Sequence, residues 1–134
     1  MTMRLNVLLA SIIVFLASTA DIHAEHDPND STDIIALVRF VIAPQPGPAD
    51  YKGFLDKRIE FFKNMPGLKR KYYTDGDAPG LSVGVYHWDS RAAAMDYYDA
   101  AWHADMKQRT ESYSLELLDI EVVQDVETGE VTRF

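Results

Sequence analysis

Residues 34–126 alternate between strand-like and helix-like apolar patterns, and the order of these patterns limits the chain to few architectures. The run Ile34–Ile42 is almost continuously apolar, which is typical of a strand covered on both faces. From Pro48 to about Asn64, apolar residues recur at steps of three and four, as on the buried face of an amphipathic helix. A Pro-Gly pair then ends the helical pattern.

Two further strands, a second helix and a last strand complete the pattern. The strands are expected at Leu68–Thr74, Leu81–Trp88 and Leu115–Val126, and an alanine-rich helix at Arg91–Thr110. The order β-α-β-β-α-β predicts an α+β fold of the ferredoxin-like type, with two helices on one face of an antiparallel sheet. Residues 127–134 are expected to form a turn and a short C-terminal tail.

The two predicted helices cover only one face of the sheet, although the first and last strands are apolar on both faces. The other face needs a second protein surface, most simply the sheet of another copy of the chain. The sequence contains no cysteine, so disulfides cannot stabilise the domain, and a packed core or a partner subunit must do so. A homodimer through the sheet face is therefore predicted.

Residues 1–24 have the pattern of a secretory signal peptide. Arg4 precedes the apolar run Val7–Ala17, which is shorter than the roughly 20 residues that a membrane-spanning helix needs. Small residues offer cleavage sites after Ala20 and after Ala24, and the alternatives are an uncleaved membrane anchor and a buried core helix. Residues 25–33 then form an acidic linker, so we expect a periplasmic or secreted domain at residues 34–126 that keeps no membrane anchor after cleavage.

Charge and composition exclude several classes of function. The formal net charge is −8, whereas nucleic acids and anionic membranes are bound through clustered lysine and arginine side chains. Thiol catalysis and cysteine-ligated metals are excluded because the chain has no cysteine. His87 and His103 lack the spacing of paired ligands on one helix, so neither a metal nor another cofactor is predicted.

Two segments, Pro66–Tyr73 and Val83–Ser90, resemble those of the dimeric α/β-barrel superfamily, in particular the YdhR-like monooxygenases related to antibiotic-biosynthesis monooxygenases. The family pattern is a Pro-Gly-hydrophobic-x-x-Lys entry into the second strand and a Gly-x-Tyr-x-aromatic third strand before an alanine-rich helix. The resemblance covers residues 34–126. It implies a pocket between sheet and helices for flat aromatic molecules, such as hydroquinones or anthrones, which some relatives oxidise with O₂ without metal or flavin.

The third strand carries a mixture of small and aromatic residues. Alternation divides it into one face with Ser82, Gly84, Tyr86 and Trp88 and another with Leu81, Val83, Val85 and His87. Two small residues followed by two large aromatic residues indicate either a cavity or a helix packed closely over the glycine. The sequence leaves open which of the two faces meets the helices.

The second helix carries a further set of candidates. Met95, Tyr98, Trp102 and Met106 share one side, which is usual for a core and also suits the wall of an aromatic pocket. His103 lies about 80–100° away from that side at 100° per residue. It is either a surface histidine or a general base that deprotonates a phenol near neutral pH.

The second strand contains three consecutive cationic residues. Alternation directs Arg70 and Tyr72 to one face and Lys71 and Tyr73 to the other, which indicates a solvated edge with one inward residue.

The favoured hypothesis is a cofactor-independent monooxygenase of small aromatic compounds. The alternatives are a non-catalytic dimer that binds a small apolar ligand and an interaction module. His103 or Arg70 would handle the substrate proton or oxyanion. The expected contacts of the aromatic ring are Tyr72, Tyr86, Trp88, Tyr98 and Trp102.

Overall fold

The structure, a computed structural model, describes residues 32–42 and 47–134. The expected signal peptide at residues 1–24 lies outside the described residues, as does the acidic linker up to residue 31. Both therefore stay predictions. Within the described part of the chain, no helix is long and apolar enough to span a membrane.

Four strands form the main sheet in the order β2-β3-β1-β4, and every neighbouring pair is antiparallel. The predicted ferredoxin-like α+β fold is confirmed, with β1 and β3 at the centre of the sheet. The elements are β1 Ile34–Val41, α1 Pro48–Phe62, β2 Leu68–Asp75, β3 Leu81–Trp88, α2 Arg91–Tyr97, α3 Ala100–Arg109, β4 Ser112–Asp119, β5 Val122–Gln124 and β6 Val131–Arg133.

The inner face of the sheet, which packs against the helices, carries the hydrophobic core. On β1 the residues Ile34, Ala36 and Val38 are buried, and the register pairs Ala36 with Tyr86 and Val38 with Gly84 on β3. Tyr86 is therefore an inner-face residue, and so are the others of its alternation set. This answers the question that the sequence left open, and it places His87 on the opposite, outer face.

The second helical region is two helices rather than the single helix expected at Arg91–Thr110. The helix α2 ends at Tyr97, Tyr98 leaves the helical conformation, and Asp99 caps α3 by accepting a hydrogen bond from the Trp102 amide at 2.8 Å. Met95 is half exposed, whereas Met106, which the single-helix prediction placed on the same side, is buried.

The C-terminal region also differs from its prediction. The last strand of the main sheet is β4, which ends at Asp119 rather than at Val126. Residues 122–124 and 131–133 form a separate two-stranded hairpin, so the expected tail contains a strand. The predicted turn lies between them, where the Asp125 carboxylate accepts hydrogen bonds from the amides of Glu127 and Thr128 at 3.0 Å.

A β-bulge near the start of β2 decides which of its side chains reach the core. The register pairs Leu68 with Trp88 but Arg70 with His87, so Lys69 is the extra residue. Simple alternation from the inward Leu68 would turn Arg70 inward. Because the bulge shifts the alternation by one residue, Lys71 faces inward instead, opposite Tyr86.

The aspartate at the predicted end of the acidic linker belongs to the folded domain. Asp33 is only 4% exposed, and its carboxylate binds the Lys69 ammonium and the His87 Nε2 atom, the latter at 2.7 Å. Its carbonyl oxygen accepts a hydrogen bond from the Ile120 amide at 3.0 Å. The domain therefore begins at least one residue earlier than the apolar pattern indicates.

Candidate functional site

A cavity of about 320 Å³ lies between the inner face of the sheet and the helices α1 and α3. Its wall is mostly apolar and aromatic, which is usual for a small-molecule site. The apolar stripe predicted on α1 contributes Tyr51, Leu55 and Arg58. The other lining residues are Val38, Phe40, Ile42, Phe54, Lys71, Tyr73, Thr74, Ser82, Val83, Gly84, Tyr86, Trp102, Met106 and Arg109.

The small residues of β3 help to shape this cavity, because Ser82 and Gly84 both line it. The group that approaches the glycine is the ring of Tyr86 rather than a helix. A Cβ atom at position 84 would lie 2.7 Å from the Tyr86 Cε2 atom. Gly84 therefore lets the Tyr86 ring fold back along the strand.

The most unusual lining residue is Lys71, whose amine lies among aromatic rings. Its Nζ atom is 3.4 Å from the ring centroid of Phe62, 4.2 Å from that of Tyr73 and 4.4 Å from that of Tyr86. No carboxylate among the described residues lies within ion-pair distance of it. An amine in such surroundings has lost most of its hydration without gaining a counter-ion.

Burial, together with the positive charges of Arg58 and Arg109, lowers the pKa of Lys71 from 10.5 to about 6. Each of the three neighbouring rings favours the ammonium form through a cation–π contact of about 0.5–2 kcal/mol, which offsets part of the cost of burial. Removing an unpaired ammonium from water costs more than that. The amine of Lys71 is therefore mostly uncharged at neutral pH, and its lone pair can accept a proton.

Two arginine side chains bring positive charge to the same cavity. Arg58 stacks on the ring of Phe62 at 4.7 Å and donates a long hydrogen bond of 3.4 Å to the Tyr97 hydroxyl. Arg109, in the last turn of α3, pairs with Asp105 through a contact of 2.5 Å between its Nε atom and the carboxylate. These guanidinium groups can stabilise an anion that forms or binds in the cavity.

Tyr86 is the polar group on the floor of the cavity. Burial raises the pKa of its hydroxyl far above the ordinary value, and the nearby Tyr97 raises it further. The hydroxyl is therefore protonated at any physiological pH and can donate a hydrogen bond to a bound oxygen atom. Its ring packs edge-on against Phe62 and Tyr98, at centroid distances of 5.6 and 5.8 Å.

Two of the five predicted substrate contacts, Tyr86 and Trp102, line the cavity. Trp88 and Tyr98 do not line it. They are buried in the aromatic core beside it. Their ring centroids lie 5.8 Å apart, and both rings also pack against Tyr86. They can support the wall but cannot touch a ligand in this cavity. The remaining predicted contact, Tyr72, lies on the outer face and is 52% exposed.

The two predicted catalytic residues also lie away from the cavity wall. The Nδ1 atom of His103 is 3.0 Å from the Tyr113 hydroxyl, and its ring packs against Trp102. Arg70 lies on the outer face because of the bulge in β2. There it lines an open groove of about 1070 Å³ between the sheet and the C-terminal hairpin, together with Tyr72 and His87.

None of the three basic residues of the cavity is among the site residues that the sequence predicts. For Lys71 the sequence predicts a solvated edge with one inward residue, and Arg58 and Arg109 carry no predicted role. One sequence signal for Lys71 was available. It stands directly before two tyrosines in a strand, and every second residue of a strand faces inward.

A metal centre has no evident location in this part of the molecule. Among residues 32–42 and 47–134, no group of three or more histidine, aspartate or glutamate side chains is placed to hold a metal ion. Asp33 and His87 meet on the outer face, but their third partner is the ammonium of Lys69 rather than another ligand.

Sheet order, helix placement and cavity together define the class: a ferredoxin-like α+β protein with a small-molecule cavity under its helices. No protein-family model and no curated protein matches the chain. The structure is similar to SnoaB, a cofactor-independent oxygenase from Streptomyces nogalater, with 15% identity, 71% of this chain and 97% of that chain covered, and a TM-score of 0.50.

Two other solved structures share the fold. A dabb family protein with a ferredoxin-like fold from Mesorhizobium loti is 16% identical, with 64% of this chain and 94% of that chain covered and a TM-score of 0.50. A hydroxynitrile lyase from Passiflora edulis is 10% identical, with 67% and 94% covered and a TM-score of 0.52. The resemblance found in Pro66–Tyr73 and Val83–Ser90 thus holds at the level of the fold.

Proposed function

We propose that this protein is a cofactor-independent monooxygenase of small aromatic compounds that carry an acidic hydroxyl group, and that Lys71 is its general base. The observation that carries the proposal is the position of the Lys71 amine among the aromatic rings of the cavity, with no carboxylate of the described residues within ion-pair distance. A general base works best when its pKa lies near the working pH, and burial brings the pKa of Lys71 to about 6. Arg58 and Arg109 are placed to stabilise the resulting oxyanion.

The reaction needs only the substrate and O₂. Lys71 removes the hydroxyl proton, and the delocalised anion passes one electron to O₂. The radical pair combines as a peroxide at a ring carbon that bears hydrogen, and the Lys71 ammonium returns the proton to it. Loss of water then leaves a carbonyl group. One oxygen atom enters the product, the other leaves as water, and the substrate supplies all the electrons.

Lys71 fits this role better than His103 or Arg70 does. The imidazole of His103 is engaged by Tyr113 and does not line the cavity. Arg70 faces the outer groove, and a guanidinium group does not give up its proton in proteins. In the proposed site, Tyr86 and Trp102 would hold the aromatic ring.

Similar structures give limited support. SnoaB is a cofactor-independent oxygenase, but the hydroxynitrile lyase shows that the same fold also carries a different chemistry. The proposal therefore depends on the cavity of this chain, which combines a base, two guanidinium groups and aromatic walls.

Oxygen uptake by the purified, metal-stripped protein against hydroquinones, anthrones and catechols tests the proposal. We expect uptake above the autoxidation blank. It should fall at least about a hundredfold in Lys71→Met, the usual size of a general-base contribution. The matched control is Lys57→Met on the exposed side of α1, which should keep full activity. In the wild type, kcat/KM should rise with pH through about 6, because the neutral amine is the active form.

Two results would contradict this assignment. Full activity in Lys71→Met would exclude Lys71 as the base, and activity that falls as pH rises through 6 would require a protonated lysine. Tight binding of aromatic compounds with no oxygen uptake would favour the second candidate, a non-catalytic protein that binds a small apolar ligand. The mostly apolar wall of the cavity is the observation that favours it.

We further propose that the protein acts after export and as a homodimer. Export is supported by the signal-peptide pattern of residues 1–24. The dimer is supported by apolar side chains on the outer face of the sheet, among them Leu118, which is 41% exposed.

A further inference from the structure

The charge of the cavity is opposite to that of the whole chain. The chain has a formal net charge of −8, yet Arg58, Lys71 and Arg109 line the cavity, and no acidic residue of the described ranges does. The three side chains come from α1, β2 and α3, so they converge only in the folded protein. A cavity built in this way favours a ligand with negative charge.

The three basic groups are unequally compensated by the protein itself. Arg109 has a carboxylate partner in Asp105. Arg58 has no ion-pair partner in the described part of the chain. It contacts two aromatic rings, the Tyr97 hydroxyl at 3.4 Å and the Tyr86 hydroxyl. Lys71 has none either, and burial together with the two arginines lowers its pKa. A bound anion would therefore supply the counter-charge that Arg58 does not have in the described part of the chain.

We propose that the natural ligand is a small aromatic acid, and that Arg58 binds its carboxylate while Tyr86 and Trp102 contact its ring. The proposal rests on the proposed function in that it names the substrate class of the same cavity: an aromatic acid that also bears a hydroxyl group. The planar guanidinium group of Arg58 can bind a carboxylate through two parallel hydrogen bonds. A volume of about 320 Å³ suits a ligand with one or two rings.

Binding of a carboxylate would also change the protonation of Lys71. The positive charge of Arg58 is one of the causes that lower the pKa of Lys71. A bound anion compensates that charge and itself attracts a proton, so the pKa of Lys71 rises when the ligand binds. The carboxylate of the substrate would thus strengthen the base that removes the hydroxyl proton. A simple carboxylate without a hydroxyl should draw this proton from the solvent.

Calorimetric titration of the purified protein with benzoate and benzamide tests the proposal without any turnover. The two probes have nearly the same shape, but only benzoate is charged. At pH 7 we expect benzoate to bind at least about tenfold more tightly, which corresponds to about 1.4 kcal/mol. Repeating the titration in buffers with different ionisation enthalpies should show uptake of a fraction of one proton with benzoate and none with benzamide.

Three variants separate the roles of the basic groups. Arg58→Gln, which keeps a polar side chain near Tyr97, should abolish the preference for benzoate. Lys71→Met should retain a preference for benzoate but lose the proton uptake. Lys57→Met, on the exposed side of α1, should change neither quantity. Because proton uptake is measured on the wild type, the test does not depend on a variant that folds poorly.

Equal affinity for benzoate and benzamide, or no binding of benzoate at millimolar concentration, would overturn the proposal. Binding of benzoate without proton uptake would overturn the link to Lys71. The outcome is independent of the oxygenase assignment. If benzoate binds as expected but hydroxybenzoates cause no oxygen uptake, the ligand class stands and the monooxygenase fails. If neutral phenols are oxidised and benzoate is not preferred over benzamide, the monooxygenase stands and the ligand class fails.

Discussion

At the scale of single residues, Lys71 illustrates how burial changes the chemistry of a side chain. On an exposed strand its ammonium would be charged throughout the physiological range. In the cavity it has aromatic neighbours, two guanidinium groups nearby and no carboxylate within reach in the described part of the chain. The folded protein therefore holds a neutral amine where the unfolded chain holds an ammonium, and this difference links folding to pH.

The stability of the protein should depend on pH through Lys71. Its pKa is about 6 in the folded state and 10.5 in the unfolded chain, so between these values the unfolded state binds more protons. The free energy of unfolding should therefore rise with pH from about 6 to 10.5, by up to about 1.4 kcal/mol per pH unit from this group. Denaturant titrations of the wild type and Lys71→Met at several pH values measure it.

Other titrating groups contribute equally to both proteins, so the informative quantity is the difference between the two curves. Lys71→Met should be the more stable protein at pH 7, and its advantage should shrink as the pH approaches 10. A difference that stays constant across this range would mean that the folded state keeps the Lys71 ammonium charged. Lys57→Met, which removes a solvated amine, should give no such slope difference.

At the scale of secondary-structure elements, two local irregularities position the site. The bulge at Lys69 turns Lys71 toward the helices, and the break at Tyr98 separates α2 from α3. After the break, α3 contributes Trp102 and Arg109 to the cavity wall. A continuous helix would have kept Met95 on the same side as Met106.

The start of α3 depends on the side chain of Asp99. Asp99→Ala removes the acceptor for the Trp102 amide and should lower the free energy of unfolding by about 1 kcal/mol. The same substitution should also weaken ligand binding, because Trp102 is part of the cavity wall. Asp96→Ala is the matched control, since Asp96 is exposed on α2 and caps no helix. A loss of stability equal to that of Asp96→Ala would show that the cap is not needed.

At the scale of the whole molecule, the outer face of the sheet is left without helices. Leu37 and Val85 are neighbours at its centre. Tyr72 pairs with Val85, and Leu118 pairs with Ile35, two residues along β1 from Leu37. The C-terminal hairpin borders the groove at one end of this face but leaves Tyr72 and Leu118 about half exposed. An apolar surface of this kind is typical of an interface between protein chains.

Sedimentation of the purified protein should give twice the mass of one chain. Leu37→Asp, which places a charge at the centre of the outer face, should shift the mass to that of the monomer because a buried unpaired carboxylate is costly. Ile59→Asp, on the exposed side of α1, is the control and should leave the dimer intact. A wild type that sediments as a monomer at micromolar concentration would refute the dimer.

Much of the fold could be predicted because its signals are local. The periods of the apolar residues, the Pro-Gly pair after α1 and the turn residues near Gly76 and Gly129 each depend only on neighbouring residues. Together they gave the order of the four main-sheet strands with the helical regions between them, and the bounds of β3 without error. Within the candidate site, the same alternation identified Tyr86 and the small residues before it, although not the face on which they lie.

The sequence by itself determined the order of the main-sheet strands and helical regions, the absence of disulfides and the aromatic character of one side of β3. Only the tertiary structure decided that Arg70 and Tyr72 face outward and Lys71 inward, because a single bulged residue reverses alternation without any change in composition. It also decided the charge of the cavity. Arg58, Lys71 and Arg109 are far apart in the chain, and their convergence depends on long-range packing that no local pattern records.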